Sequence, residues 1–488
     1  MSSRIDVKDD NDQESTLGLL AICLLAAVMV VIAALEAMIS PALPLIQRQL
    51  NVNPAQASLL TSTLVISSAV STPIAGKLGD RFGGRKVFVW LSMVTFIGGA
   101  VSALAPSLPL LLVGQFLQGA GVGILPLVFI LVRQHLDPGR AKAAVGIFTG
   151  MLTAGAAAGI LLAGPIAEGL SRHWMFGVPT VVLGFVAVAA IKVIPSDVPK
   201  RIAAAELDWV GALLFAVGLT SLMIALSFLS TSRTLGVLPL ALIVVAAFIL
   251  VIWILVEKRA PEPFIDLAMI SERVVRAGSF VAFATGSGVA ITGFLIPQLL
   301  AFPASTSFGF GASSTQIGIY ILPGLLISVI AAPTAGFADR VLGSRMVVFI
   351  GVVTTALALF ILCWFHSELW QIIVFYMIFC IGVSALMTAL FNAIISEVTE
   401  LQTGVATGMI TVARSLGLAM GVAAAALVQT AGTDPSTGIP NATVFGVGFG
   451  IGGGLVALSL LMTPFFRGRT METAAEVSNE DGAHGRLA

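Results

Sequence analysis

The stretch GKLGDRFGGRK, residues 76–86, separates two long apolar runs and recurs later in the chain between two others. The second copy reads GFADRVLGSR, residues 336–345, and Gly76, Gly83 and Arg85 recur in it 260 positions further on. A polar turn with glycines and basic residues between apolar runs is typical of a short loop that joins two membrane-crossing helices. Its recurrence predicts a chain built from two similar halves.

A second pair of segments repeats at a spacing of 262 residues, in the apolar runs 143–167 and 404–430. Identical residues there are Gly146 and Gly408, Thr149 and Thr411, Gly155 and Gly417, Ala157 and Ala419, and Gly159 and Gly421. The repeat offset is longer than six helices require, and residues 195–257 account for the excess. The sequence therefore predicts six helices, two inserted helices and six more helices. Parallel halves around a central cavity are an arrangement of secondary transporters.

The composition requires a membrane environment. Hydrophobic residues make up 57% and charged residues 10% of the chain, against roughly 45–50% and about 25% in soluble domains. Such a chain has too few polar residues to cover a soluble core, which excludes a cytosolic enzyme and a disordered protein. The 25 basic residues balance 25 acidic ones, which excludes a nucleic-acid binder. Cys23, Cys363 and Cys380 all lie in apolar runs and are typical of packed thiols rather than of a disulfide framework.

Fourteen apolar runs are long enough to cross a bilayer, which takes about 20 residues. They are 17–45, 57–76, 87–105, 108–132, 143–167, 174–194, 208–229, 236–256, 277–302, 316–337, 346–365, 369–396, 404–430 and 442–466. The predicted fold class is thus an all-α polytopic membrane protein with 14 transmembrane helices. Its predicted parts are tails at 1–16 and 467–488, six-helix bundles at 17–194 and 258–466, and two inserted helices within 195–257.

The basic residues predict the orientation. With both termini in the cytoplasm, 21 basic residues fall on the cytoplasmic side and only 3 in outer loops, at Arg48, Arg172 and Arg233. This asymmetry follows the positive-inside rule, so we expect a multi-pass protein of the cell membrane with both tails inside.

Four stretches resemble the major facilitator superfamily and, within it, the fourteen-helix drug:proton antiporters. They are the loop at 76–88, LEAMISPALP at 35–44, DWVGA at 208–212 and RSLGLAMG at 414–421. The resemblance implies two six-helix bundles that alternate access to a central site. It also implies export of small molecules driven by the proton gradient. No cofactor is expected, and a monomer in the lipid bilayer is the expected unit.

Two departures from the family pattern bear on that function. In QFLQGAG, residues 115–121, Gln115 stands where the family usually has an arginine that is implicated in proton coupling. In the fifth span, Gly155, Gly159 and Gly164-Pro165 resemble the antiporter motif, but Glu168 stands where a closing glycine is usual. These departures leave open a metabolite importer or an uncoupled facilitator. A membrane sensor or scaffold with the same fold is a further alternative.

Glu36 is the first candidate for the coupling chemistry. A carboxylate in the membrane interior costs about 3 kcal/mol or more, so such residues are usually functional. Apolar surroundings favour the neutral acid, which lets the group take up and release a proton. Glu36 would then bind a proton or a cationic substrate in competition, which is antiport. The alternative is a structural hydrogen bond near the outer interface.

Three more polar residues inside spans are candidates for proton coupling or substrate binding. Gln115 lies at a depth similar to that of Glu36, so the two are expected to share a cavity face; Gln118 adds a hydrogen-bonding group. For both glutamines the alternative is helix–helix hydrogen bonding. Arg414 lies near the middle of its span and is expected to face the bundle interior, as an anion contact, a state-dependent charge partner or a fixed structural pair.

Polar residues at the predicted cytoplasmic helix ends suggest a gate, since an aspartate can hold the positive end of a neighbouring helix and arginines can pair with carboxylates across the halves. The candidates are Gly76, Asp80, Arg81, Gly83, Arg85, Lys86, Asp339 and Arg340. The alternative is charge that only sets topology. In the fifth span, Gly155, Gly159, Gly164 and Pro165 predict close helix packing. Glu168 is expected to pair with Arg172, and the alternative is a second proton site.

The sequence offers no metal-ligand spacing, no phosphate-binding loop and no nucleophile with a base. We therefore expect neither an enzyme nor an ATP-driven pump.

Overall fold

The computed structural model describes residues 18–136, 138–195, 208–232, 237–260, 263, 272–306, 308–397, 400–434 and 439–466. The predicted tails at 1–16 and 467–488 lie outside these ranges. Within them the regular structure is helical, apart from one isolated bridge between Thr433 and Pro440.

The first half of the chain contains eight α-helices. They are α1 (Leu19–Ala37), α2 (Ile39–Leu50), α3 (Pro54–Phe82), α4 (Gly84–Leu104), α5 (Leu108–Gly119), α6 (Ile124–His135), α7 (Pro138–Gly169) and α8 (Arg172–Val193). A short 3-10 helix, Ala120–Gly123, joins α5 to α6, so that these three elements together form one span.

Two inserted helices and the second half follow. The inserted helices are α9 (Trp209–Ser232) and α10 (Val237–Glu257). The second half contains α11 (Arg273–Ala301), α12 (Ser314–Leu342), α13 (Ser344–Trp364), α14 (Leu369–Glu397), α15 (Glu400–Ala431) and α16 (Thr443–Leu458).

The predicted fold class is confirmed. In the part of the chain that the structure describes, thirteen helical segments are long and apolar enough to cross a membrane, and each corresponds to one of the predicted runs. The remaining predicted run, 208–229, coincides with α9, where the apolar stretch of described residues is Trp209–Leu222.

The first predicted span is broken in two next to Glu36. Helix α1 ends at Ala37 and α2 begins at Ile39. Pro41 explains the break, because proline has no N–H to donate to the carbonyl of Ala37 and its ring crowds that carbonyl. The break places Glu36 in the last turn of α1.

The two halves repeat the same close helix contact. A Cβ at Gly155 or Gly159 of α7 would collide with the backbone of α1, and a Cβ at Gly417 or Gly421 of α15 would collide with the backbone of α11. These glycines are the pairs that match at the offset of 262 residues. The sequence repeat is therefore a structural repeat, in which α7 lies on α1 as α15 lies on α11.

The two copies of the polar loop also share a backbone conformation. Gly83 has φ 98° and ψ 139° between α3 and α4, and Gly343 has φ 81° and ψ 150° between α12 and α13. Residues with a side chain rarely adopt positive φ with extended ψ, because the Cβ meets the backbone.

We expect Gly83→Ala and Gly343→Ala each to destabilise the protein by about 1–3 kcal/mol, the usual cost of a strained backbone. Gly76→Ala is the control, since a Cβ there meets open space within helix α3. The measurement is thermal unfolding of the purified protein. An equal effect of all three substitutions would show that the positive φ is not the cause.

The halves meet mainly along two helix pairs, α3 with α15 and α7 with α12, and α2 also contacts α11 and α12. The inserted helices do not stand apart, because α9 packs against both α3 and α15. Within the inserted pair, the rings of Phe215 and Trp253 are 5.0 Å apart. The central interface thus brings α2, α3 and α7 of the first half against α11, α12 and α15 of the second, and Glu36 of α1 lines the cavity there.

Candidate functional site

A cavity of about 160 Å³ lies between the two halves. Its polar lining residues are Glu36, Ser40 and Thr61, all from the first half. Apolar residues line the rest of it, including Leu64 and Val65 of α3, Val289 and Phe294 of α11, and Leu418 and Val422 of α15. A mostly apolar cavity with few polar groups is the usual form of a small-molecule site.

Glu36 points into this cavity. Its side chain is exposed, whereas its neighbours Leu35 and Met38 are buried at 4% and 2% exposure. The break between α1 and α2 separates Glu36 from Ser40, whose hydroxyl donates a 2.7 Å hydrogen bond to the carbonyl of Gly293 in the other half. The carboxylate therefore lies at the joint between the halves rather than in the outer interface.

Arg414 faces the same region from the other half. It precedes Leu418 and Val422 by four and eight residues, so all three lie on one stripe of α15, and the latter two line the cavity. Its side chain is exposed although it lies within a span. Arg414 is also close enough to Glu36 to act on it electrostatically. The structure thus brings together two residues that the sequence analysis treated separately.

Gln115 and Gln118 are placed differently. Both are buried, and the Gln115 amide donates a 2.6 Å hydrogen bond to Gln118 Oε1 and a 3.2 Å hydrogen bond to Ser102 Oγ of helix α4. Neither glutamine lines the cavity that contains Glu36. This geometry is that of helix–helix hydrogen bonding between α4 and α5. A role in proton coupling for these two residues stays a prediction.

The glycines of α7 have two different partners. Gly155 and Gly159 lie against the backbone of Val30 and Ala34 in α1, directly before the turn that carries Glu36. Gly164 lies against the backbone of Thr315, at the start of α12 in the other half. Pro165, which follows it, is an exposed residue within α7. The same helix therefore supports the Glu36 segment and contacts the opposite half at the predicted outer end.

The predicted cytoplasmic gate residues lie around the two repeated turns. Arg85 donates a 2.8 Å hydrogen bond to the carbonyl of Ile191, Lys86 is exposed, and Asp339 accepts a 3.1 Å hydrogen bond from Asn392. The side chains of Asp80, Arg81 and Arg340 lie outside what the structure describes. These hydrogen bonds of Arg85 and Asp339 each join residues of the same half, so a gate between the halves stays a prediction.

Sequence reasoning did not single out Ser40 and Thr61, which line the cavity beside Glu36. One sequence feature could have identified Ser40, since it is a polar residue directly before a proline inside an apolar span. Among the described residues, no group of three or more His, Cys, Asp or Glu side chains is placed to hold a metal ion.

The profile of the Major Facilitator Superfamily matches residues 25–260 and 277–487. The chain belongs to this superfamily. It is therefore a multi-pass membrane protein of this superfamily, in agreement with its two helical halves and the cavity between them.

Curated relatives of this superfamily member include transporters of different compounds. Multidrug resistance protein 3 of Bacillus subtilis is 26% identical over 298 residues, which is 60% of this chain and 57% of that protein. The tetracenomycin C resistance and export protein of Streptomyces glaucescens is 28% identical over 347 residues, 69% of this chain and 62% of that protein. The match thus spans less than two thirds of the length of each of these two relatives.

A third relative is named for transport of nucleosides rather than for drug resistance. The uridine/deoxyuridine transporter of Lactococcus lactis is 26% identical over 350 residues, 69% of this chain and 72% of that protein. Among solved structures, the nucleoside transporter NupG superposes with a TM-score of 0.65 at 13% identity, covering 92% of this chain and all of that chain. A peptide transporter of the POT family gives a TM-score of 0.65 at 17% identity, covering 91% of this chain and 93% of that chain. These superpositions show the fold alone.

Proposed function

We propose that this transporter exports amphipathic, cationic small molecules in exchange for protons, by alternating access, as a monomer in the cell membrane with both termini inside. The observation that carries the proposal is the exposed carboxylate of Glu36 in a mostly apolar cavity between the two halves. Apolar walls suit the hydrophobic part of such a molecule, and one acidic group suits its charge.

Exchange follows from the single carboxylate. A proton and a cationic substrate both neutralise Glu36, and each excludes the other. When the cavity opens to the outside, a proton displaces the substrate; when it opens to the inside, loss of the proton restores the charge that attracts the next substrate. The proton gradient then drives export without any cofactor.

Arg414 adds a third competitor for the same carboxylate. In relatives the positive charge near this acid is expected on the fourth span, where this chain has the neutral Gln115. Here the nearby cation comes from α15 of the opposite half. Because the halves move relative to each other during alternating access, the separation between Glu36 and Arg414 changes with the conformation. The attraction between them therefore depends on which side is open.

We expect Arg414→Gln to bind a cationic dye more tightly by a few-fold, since repulsion between partly solvated charges is worth ~1 kcal/mol. Arg414→Lys keeps the charge and should bind as the unmodified protein does. Equilibrium binding of ethidium to the purified protein is the measurement. Equal affinity in all three proteins would contradict the role of Arg414.

The test of the proposed function uses purified protein in lipid vesicles and ethidium as the probe. An imposed pH gradient, acidic on the side toward which ethidium must leave, should drive its accumulation against its own gradient. Dissipation of the pH gradient with an ionophore should abolish accumulation. Ethidium movement that is the same with and without the gradient would refute proton-coupled export.

The alternative of an uncoupled nucleoside facilitator has its own support. One relative is named as a uridine/deoxyuridine transporter, and the family arginine is absent at Gln115. This alternative predicts uridine counterflow that is independent of pH gradient, in vesicles where ethidium does not accumulate.

A further inference from the structure

The two halves are joined at the predicted outer end by a side chain that the sequence analysis assigned to another partner. Glu168, at the end of α7, accepts a 2.7 Å hydrogen bond from the hydroxyl of Thr315 and a 3.3 Å hydrogen bond from the backbone N–H of Thr315. The expected partner, Arg172, instead donates a 3.1 Å hydrogen bond to the carbonyl of Ala105. Arg172 thus ties parts of the first half together, while Glu168 reaches across to the second.

Thr315 lies in the first turn of α12, where backbone N–H groups have no partner within the helix. The helix N-cap Ser313 accepts from the N–H of Gln316, and the Gln316 side chain accepts from the N–H of Ser313. Glu168 provides an acceptor for a further N–H of that turn. A carboxylate is favoured there because the N-terminus of a helix carries partial positive charge.

The backbones come close at the same point. A Cβ at Gly164 would collide with the backbone of Thr315, and a Cβ at Gly318 would lie 2.6 Å from the carbonyl oxygen of Ile160. Toward the predicted cytoplasmic end of the helices that form the interface, Cβ atoms at Gly150 and Gly408 would meet open space. The two halves thus meet closely at one end of α7 and α12, and Glu168 is part of that contact.

We propose that Glu168 and Thr315 form an outer latch, which stabilises the conformation closed at the predicted outer end. The bonds exist only while α7 and α12 touch there, so they favour that conformation over one in which the ends have separated. Glu168 is exposed and Thr315 is half-buried, so water can replace the bonds when the ends part, which keeps the latch weak enough to open in every cycle. At this position the related motif usually has glycine, which has no side chain to form such a bond.

The proposal rests on alternating access in the proposed function but not on proton coupling. Its test is therefore a distance measurement rather than a transport assay. Spin labels are attached at Ser107→Cys and Ser305→Cys, two exposed serines in outer turns of the first and second half. Cys23, Cys363 and Cys380 are replaced by alanine, and the full chain is studied in lipid nanodiscs by pulsed electron paramagnetic resonance.

We expect Glu168→Ala to raise the ratio of outer-open to outer-closed molecules about fivefold, which corresponds to ~1 kcal/mol. Thr315→Val, which keeps the backbone N–H but removes the hydroxyl, should give a smaller rise in the same direction. Glu368→Gln is the matched control, because this exposed glutamate lies at the same predicted end in the turn between α13 and α14. It should leave the distance distribution unchanged.

The latch is refuted if Glu168→Ala and Thr315→Val both give the distribution of the unmodified protein, or if Glu368→Gln changes it as much. Glu168→Gly, which restores the residue usual in the related motif, serves as a second test should the alanine variant fold poorly. Loss of pH-driven ethidium transport in Glu36 variants, with the latch result intact, would bear on the proposed function alone.

Discussion

Glu36→Gln is expected to abolish transport against a gradient. Glutamine has the shape of the protonated acid but cannot release a proton, so the pH gradient no longer changes the state of the site. In vesicles with an imposed pH gradient, accumulation of ethidium should fall to the level of vesicles without protein. Exchange of labelled for unlabelled ethidium should also fall, because glutamine resembles the protonated acid and has no charge that attracts the cation.

Two variants show whether the titrating group itself is responsible. Glu36→Asp keeps a carboxyl group, as in the related motif, and should retain accumulation driven by the pH gradient. Glu368→Gln removes an exposed acid in the turn between α13 and α14, which does not line the cavity. This variant should behave as the unmodified protein does. Accumulation by Glu36→Gln that still responds to the pH gradient would show that another group carries the proton.

The repeat was readable from the sequence because backbone geometry restricts the residue type. A turn with positive φ at Gly83 and Gly343 admits essentially glycine, and a helix whose backbone touches its neighbour at Gly159 and Gly421 admits no Cβ. Such positions keep their identity in both halves of the chain. Apolar runs identify the spans for an equally direct reason, since the bilayer interior excludes polar side chains.

Side-chain contacts between the two halves could not be predicted from the sequence in the same way. The expected pair Glu168 and Arg172 followed from helical spacing, but the contact that forms depends on where α12 begins in space. Likewise Gln115 and Glu36 have similar depths, yet the side chain of Gln115 turns toward α4, and depth carries no information about direction around the helix. The break next to Glu36 could have been predicted from Pro41, because proline interrupts helical hydrogen bonds. Hydrophobicity alone shows only one continuous apolar run there.

Gly159→Ala is expected to destabilise the protein strongly, by about 1–3 kcal/mol, as over-packing does in closely packed interiors. The added Cβ would collide with the backbone of Ala34 in α1. A backbone cannot change rotamer to make room, so α7 and α1 must move apart and lose contacts along their length. Because Ala34 precedes Glu36 by two residues, the same displacement moves the carboxylate in the cavity.

The sign of the effect separates this contact from ordinary helix propensity. Gly150→Ala adds the same methyl group to the same helix where a Cβ meets open space, so it should stabilise the protein by up to ~1 kcal/mol, the propensity difference between alanine and glycine. Gly421→Ala, the equivalent position in the second half, should repeat the loss seen at Gly159, since its Cβ would collide with Ser287. Thermal unfolding of the three purified variants in one detergent measures these changes in stability. Stabilisation by Gly159→Ala comparable to that by Gly150→Ala would mean that α1 and α7 are not in backbone contact, and that Glu36 is not held by the close packing described above.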